Sequence, residues 1–198
     1  MKGWNGSDSA PVLRGHEVTR KILVAGHFAA GKTTLIGSVS QITPVTTEEI
    51  MTSAGVDIDR TELPGKSTTT VAMDFGRLHL NEDLVLYLFG APGQPRFFPI
   101  LQDLARGALG VLVLADTRRL GDTYPILELI EDLALPYAVA INRFDGAPEP
   151  TEDRLREAMR LDATTPVVTC DARDRSSCRD ALIALVRHLI TLTPEPSR

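Results

Sequence analysis

Five short apolar runs, "KILVAG", "LVLYLFG", "GVLVLAD", "PYAVAIN" and "PVVTCD", are rich in β-branched residues and are mostly separated by segments long enough for a helix. Buried strands alternating with helices assemble as βαβ units on a mostly parallel sheet, so this spacing constrains the fold more than any other feature. One run breaks the alternation. "VAMDFGRLHL" is separated from "LVLYLFG" only by the turn "NED", which predicts an antiparallel hairpin at one edge of the sheet. Helices are expected at Lys32 to Ser40, Ile100 to Arg106, Tyr124 to Ala134, Glu152 to Leu161 and Ser176 to Leu192. The last carries Leu182, Leu185, Val186 and Leu189 on one face, the pattern of a helix packed on a core.

The length of 198 residues suits one α/β domain, and 43 % hydrophobic with 24 % charged residues is ordinary globular composition. The domain is expected over residues 20–192, with polar tails at 1–19 and 193–198. A net charge of −5 and a pI near 5.4, with no basic run, argue against nucleic acid as a partner. No stretch reaches the roughly 20 apolar residues of a membrane span. The first residues lack a hydrophobic signal core and neither end carries a lipidation motif, so the expectation is a cytoplasmic protein with no direct membrane anchor. Membrane recruitment would then need a partner. Cys170 and Cys178 are too few for a zinc site or a disulfide framework and read as packing or surface thiols in a reducing compartment.

Between the first strand and the first helix lies Gly26-His27-Phe28-Ala29-Ala30-Gly31-Lys32-Thr33, followed by Thr34, which fits G-x-x-x-x-G-K-[ST]. Its glycines let backbone N–H groups curl around phosphates at a helix N-terminus, where Lys32 can meet the β- and γ-phosphates and the Thr33 hydroxyl can bind Mg²⁺. By itself this loop specifies a nucleoside triphosphate, which ATPases and small-molecule kinases share.

A second element bears on the base. "YAVAINRFDGA" ends a strand with Asn142, Arg143, Phe144 and Asp145, a stretch that resembles the N-K-x-D guanine-reading motif of GTPases with Arg143 in place of lysine. A carboxylate at Asp145 can accept from the two guanine donors, and adenine would leave it unpaired. In "TCDARD", Ala172 stands where that family's S-A-K loop contacts the guanine oxygen through its backbone. "TTTVAMDFG" resembles the T-x-x-x-D-F stretch of small GTPases and makes Thr70, with Thr68 and Thr69 as alternatives, the candidate sensor of Mg²⁺ and γ-phosphate. The polar segment 43–67 before it reads as a long, mobile switch region and partner surface. In "FGAPGQPRFF", Gly93-Gln94 matches the end of the D-x-x-G-Q motif, where the glycine N–H follows the γ-phosphate and Gln94 orients the attacking water.

Together these motifs, from about Arg20 to Ile190, resemble a Ras-like small GTPase of the bacterial MglA-like branch. The wording of "LVLYLFGAPGQ", "ARGALGVLVLADTRRL" and "CDARDR" is similar to the GTPases of actinobacterial conservon operons. The resemblance implies a P-loop three-layer α/β/α fold with a Ras-like, mostly parallel sheet and one antiparallel edge strand. It further implies a molecular switch using GTP/GDP and Mg²⁺, working beside a roadblock-type regulatory protein and a sensor-kinase-like protein. Three departures qualify the mechanism. Gly90 replaces the aspartate of D-x-x-G, which removes the carboxylate that holds Mg²⁺ through water and implies looser metal binding. Phe28 occupies a position usually held by glycine, and either projects toward Gln94 and slows hydrolysis or folds back on the loop. Arg96, two residues past Gln94, could neutralise charge on the transferring phosphoryl group or serve a partner. Asp116 and Arg118 in "LADTRR" read as helix-start and surface residues. A non-hydrolysing pseudo-GTPase and a P-loop ATPase or small-molecule kinase are the competing readings.

Overall fold

The structure is a computed structural model that describes residues 15–51 and 69–193. Along the chain run β1 (Val18–Ala25), α1 (Lys32–Val39), β2 (Val45–Met51), β3 (Thr69–His79), β4 (Leu84–Gly90), α2 (Phe98–Ala105), β5 (Ala108–Ala115), α3 (Tyr124–Asp132), β6 (Tyr137–Asn142), α4 (Glu152–Met159), β7 (Val167–Cys170) and α5 (Arg175–Leu192). Short 3-10 turns at Pro95–Phe97 and Thr117–Thr123 lead into α2 and α3. The seven strands form one sheet in the order β2-β3-β4-β1-β5-β6-β7. β4, β1, β5, β6 and β7 are parallel, and β3 runs against β4 as the hairpin expectation requires.

β2 is the element that the sequence reading did not foresee. Val45–Met51, assigned to a mobile switch, pairs antiparallel with β3 from Val45↔Phe75 to Met51↔Thr69 and becomes the outer strand on that side. Val45, Thr46, Thr47 and Ile50 are β-formers, and an open strand edge next to them supplies the backbone partners. The rest of that switch expectation, residues 52–67, lies outside the described residues, as do the alternative candidate Thr68 and positions 1–14 and 194–198 of the expected tails.

Strand residues alternate between two cores because successive side chains point to opposite faces. Ile22, Val24, Leu86, Leu88, Leu112, Leu114, Ala138 and Ala140 pack with Leu35, Ile36 and Val39 of α1 and with Cys178, Ala181, Leu182 and Leu185 of α5. Leu23, Ala25, Val111, Val113, Ala115, Val139 and Ile141 face the other way, toward Leu101 of α2, Ile126 and Ile130 of α3, and Leu155 and Met159 of α4. This is the three-layer arrangement. Cys170 and Cys178 are free and buried in the first core, with their sulfurs 4.0 Å apart, so both are packing thiols. α5 starts one residue earlier than expected because the Asp174 carboxylate accepts from the N–H groups of Ser176 and Ser177. Among the described residues no helix is long and apolar enough to cross a membrane.

Leu182 is fully buried between α5 and the sheet. Leu182→Ala is expected to cost about 2–5 kcal/mol in urea unfolding, and a loss below about 1 kcal/mol would contradict this packing.

Candidate functional site

The parallel strands all end at one edge of the sheet, so the loops that follow them converge there, on both sides of central β1. After β1, the phosphate-loop sequence turns tightly. Ala29 takes a left-handed φ of 65° and Gly31 a φ of 105°. A side chain at position 31 would also run into Nδ2 of Asn142, so both conformation and contact require glycine there. Gly31 opens α1, and the Leu35 N–H donates to its carbonyl at 2.8 Å. Lys32 folds back over the loop, its Nζ donating to the Gly26 and His27 carbonyls at 2.8 Å each. Burial pushes the Lys32 pKa down to about 8, against the opposing pull of the Asp74 charge. Thr33 and Thr34 are exposed.

Phe28, Ala29, Gly31, Lys32, Thr33 and Thr34 line a cavity of about 490 Å³ together with Asp74, Pro92, Gly93, Gln94 and Arg96. Gly93 lies so close to the phosphate loop that a side chain there would strike the Gly26 carbonyl oxygen and the His27 and Phe28 backbone. Gln94 is half-buried at the start of a 3-10 turn, with its carbonyl accepting from the Phe97 N–H at 2.9 Å. The Arg96 guanidinium lies over the Phe97 ring, 4.7 Å from its centroid. Phe28 is 66 % exposed and shares the cavity wall with Gln94 and Arg96, so the projecting alternative, not the folded-back one, describes its place.

Asp74 is the residue that sequence reasoning passed over. In the β3–β4 ladder it sits opposite Gly90, which in turn sits beside Val24 of β1. A Cβ at position 90 would lie 3.1 Å from the Asp74 Cβ and 3.2 Å from its Oδ2. The Asp74 carboxylate therefore occupies the space that a side chain at position 90 would need, and the Thr33 hydroxyl donates to its Oδ2 at 2.6 Å. Gly90 alone suggests a missing carboxylate; the neighbouring strand supplies one. The residue stood in plain view within "TTTVAMDFG", and only the register that sets 74 beside 90 reveals its place. A hard divalent cation takes oxygen ligands. The Thr33 hydroxyl and Asp74 carboxylate, bonded to each other and lining one cavity with Lys32, are a donor set that fits Mg²⁺.

Thr70 is not brought to this pair. It lies within β3 opposite Ile50, four residues and so about 13 Å of strand from Asp74.

On the other side of the loop, Asn142 is buried at the end of β6 and bridges two segments. Its Nδ2 donates to the Ala30 carbonyl at 2.9 Å, and its Oδ1 accepts from the Ala172 N–H at 3.0 Å. The Ala172 N–H is thus spent on Asn142. Ser38 of α1 adds a tie, donating to the Ala172 carbonyl at 2.6 Å. A cavity of about 340 Å³ opens here, sharing Ala29, Gly31 and Thr34 with the first and bounded by Arg143, Asp145 and Arg173. The Asp145 side chain is 95 % exposed, with Arg173 Nη2 3.7 Å away. Arg173 binds Asp171 more closely, at 3.0 Å, and these hydrogen bonds hold the Asp171 carboxyl below the usual range.

Asp116 starts the Thr117–Thr123 turn as expected, its side chain accepting from the Arg118 N–H at 2.9 Å, and it makes further contacts. It is 1 % exposed, its Oδ2 is 3.9 Å from His27 Nε2, and Arg118 clamps both its oxygens. Burial would raise its pKa, but the Arg118 hydrogen bonds and charge prevail and hold the carboxyl below the usual range. Buried His27 contacts the Phe28 carbonyl through Nδ1 at 2.6 Å.

Because a phosphate beside Lys32 favours its charged form, nucleotide binding is expected to take up close to one proton at about pH 9 and none near pH 7, with affinity falling as pH rises above about 8. Calorimetry in buffers of different ionisation enthalpy checks this; a binding heat independent of buffer at the higher pH would contradict it.

Solved structures with this arrangement include the G domain of the FeoB iron transporter of T. maritima, with a TM-score of 0.60, 18 % identity and coverage of 86 % of this chain and 99 % of that one. The FeoB G-domain of Methanococcus jannaschii gives a TM-score of 0.58 at 14 % identity, covering 87 % of this chain and 98 % of that one. These likenesses show the P-loop G-domain fold. Among curated proteins, the chain is similar to an elongation factor G-like protein of Synechocystis sp., 23 % identical over 161 residues, and spans 77 % of its own length but only 23 % of that protein. Residues 24–192 match the model of a family described as a conserved hypothetical ATP binding protein, and with that match running from β1 to the end of α5 the chain belongs to this family of P-loop nucleotide-binding proteins.

Proposed function

We propose that the chain is a GTP-binding switch that hydrolyses GTP to GDP and phosphate. The observation that carries this reading is the Asn142–Asp145 segment. Asn142 locks the phosphate loop to the Ala172 loop, and three residues on the Asp145 carboxylate is exposed at the cleft, where the two donors of guanine could pair with it. Adenine offers no such donor pair.

Lys32 and the loop N–H groups would bind the phosphates, the ammonium leaving its two carbonyl partners for the anion. Thr33, backed by Asp74, would hold Mg²⁺, which when bound adds positive charge against the phosphate oxygens. Gly93 packs on the phosphate loop and so would register any change there, and Gln94 beside it would orient the attacking water. Arg96, exposed on the same wall, would neutralise developing charge or meet a partner. Phe28, exposed on the same cavity wall as Gln94, would crowd the approach to it and supports slow intrinsic turnover, hastened by a partner. The same ring supports a second reading, a nucleotide-binding module without hydrolysis.

Sequence resemblance supports reading the switch as a member of the MglA-like branch, close to the conservon-operon GTPases. It would act in the cytoplasm of a bacterium with a roadblock-type regulator and a sensor-kinase-like protein, which would also carry it to the membrane periphery.

Competition tests the base assignment: protein loaded with a fluorescent guanine nucleotide in Mg²⁺ is challenged with GTP, GDP or ATP. GTP and GDP are expected to displace the label and ATP to leave it bound. Equal displacement by ATP would transfer the site to the ATPase or kinase reading.

A further inference from the structure

Arg118 stands outside every motif that defines the site, yet it joins the two halves of the cleft. Its guanidinium lies 3.8 Å from the centroid of the Phe144 ring, in the base-side loop, while Nε and Nη2 hold Asp116, whose carboxylate reaches back toward His27 of the phosphate loop. The ring face and the buried carboxylate fix the plane of the guanidinium.

The restraint leaves donors over. An arginine has five N–H groups. Asp116 takes Nε–H and one from Nη2, so both Nη1 hydrogens and the second Nη2 hydrogen have no protein acceptor among the described residues. The side chain is 43 % exposed and borders the same cavity as Ala29 and Thr34 on one side and Asp145 on the other. A ligand with phosphates on the loop and a base beside Asp145 must run its sugar and α-phosphate between them.

We infer that Arg118 is a nucleotide-contacting residue, donating from this fixed fork to oxygens of the sugar or the α-phosphate. The inference rests on the nucleotide cleft described above and deepens it, because a contact to sugar or α-phosphate is indifferent to the base and to the γ-phosphate. Asp116 and Phe144 are then positioning residues. They hold the donors where the ligand arrives, and the fork is lost if lysine replaces arginine.

Arg118→Gln and Arg118→Lys, each checked for an unchanged fold by circular dichroism and thermal melting, are compared with the wild type for GDP, GTP, ADP and the 2′,3′-dideoxy form of GDP. Loss of a charge-assisted contact should weaken GDP and GTP by the same factor, roughly 10–100-fold. If the acceptor is on the sugar, dideoxy-GDP loses less on substitution than GDP does; if it is the α-phosphate, both lose equally. Variants that bind every nucleotide within about twofold of the wild type would overturn the inference, as would weakening of the triphosphate alone. A wild type that binds ADP but not GDP would remove the guanine reading and leave Arg118 to be judged on ADP by the same criterion.

Discussion

One hydrogen bond, from the Thr33 hydroxyl to the Asp74 carboxylate, ties the first turn of α1 to β3, and much of the cleft depends on the geometry that permits it. Glycine at position 90 leaves room for the Asp74 carboxylate that accepts this bond. A Cβ there would lie 3.0 Å from Ile36 Cδ1 and 3.1 Å from the Asp74 Cβ, so these side chains would have to give way by a few tenths of an ångström. Glycine at 90 and aspartate at 74 are therefore one feature seen on two strands. The arrangement also buries a carboxylate near Lys32, which offsets part of the cost of desolvating that ammonium.

The layers of the fold follow from sequence with little ambiguity, since continuous β-branched runs can be satisfied only by cover on both faces, and the two cores divide strand residues in strict alternation. The β3–β4 hairpin was equally legible from its three-residue turn. β2 was not, because a polar strand at a sheet edge carries neither apolar alternation nor a tight turn, and its identity depends on the partner edge that β3 presents. Asp74 escaped for a related reason. Motif reading runs along the chain, whereas the relation between 74 and 90 runs across it and depends on a register that no local pattern prints. Thr70 is a different case: its motif match falls within β3, opposite Ile50 and four residues along the strand from Asp74.

The cleft is held together mainly by side chains that no catalytic argument needs. Asn142 spans from Ala30 to Ala172, Ser38 holds the same loop from α1, and Asp116 with Arg118 links His27 to Phe144. Asn142 and Ser38 make short hydrogen bonds and Arg118 a short ion pair with Asp116, whereas His27 Nε2 stands 3.9 Å from the Asp116 carboxylate without a hydrogen bond; these ties preorganise the phosphate and base walls relative to one another. Gly93 abuts the phosphate loop, close to the Gly26 carbonyl oxygen and the His27 and Phe28 backbone, and Gln94 and the turn into α2 follow it directly.

The central claim is that the carboxylate absent from position 90 is supplied from position 74, and exchanging the two tests it most directly. Nucleotide retention is measured against Mg²⁺ concentration in the wild type, Asp74→Gly, and Asp74→Gly with Gly90→Asp. Loss of the carboxylate should raise the Mg²⁺ requirement about 10–100-fold, and moving it to β4 should restore most of the loss. An unchanged Mg²⁺ requirement in Asp74→Gly would contradict the account.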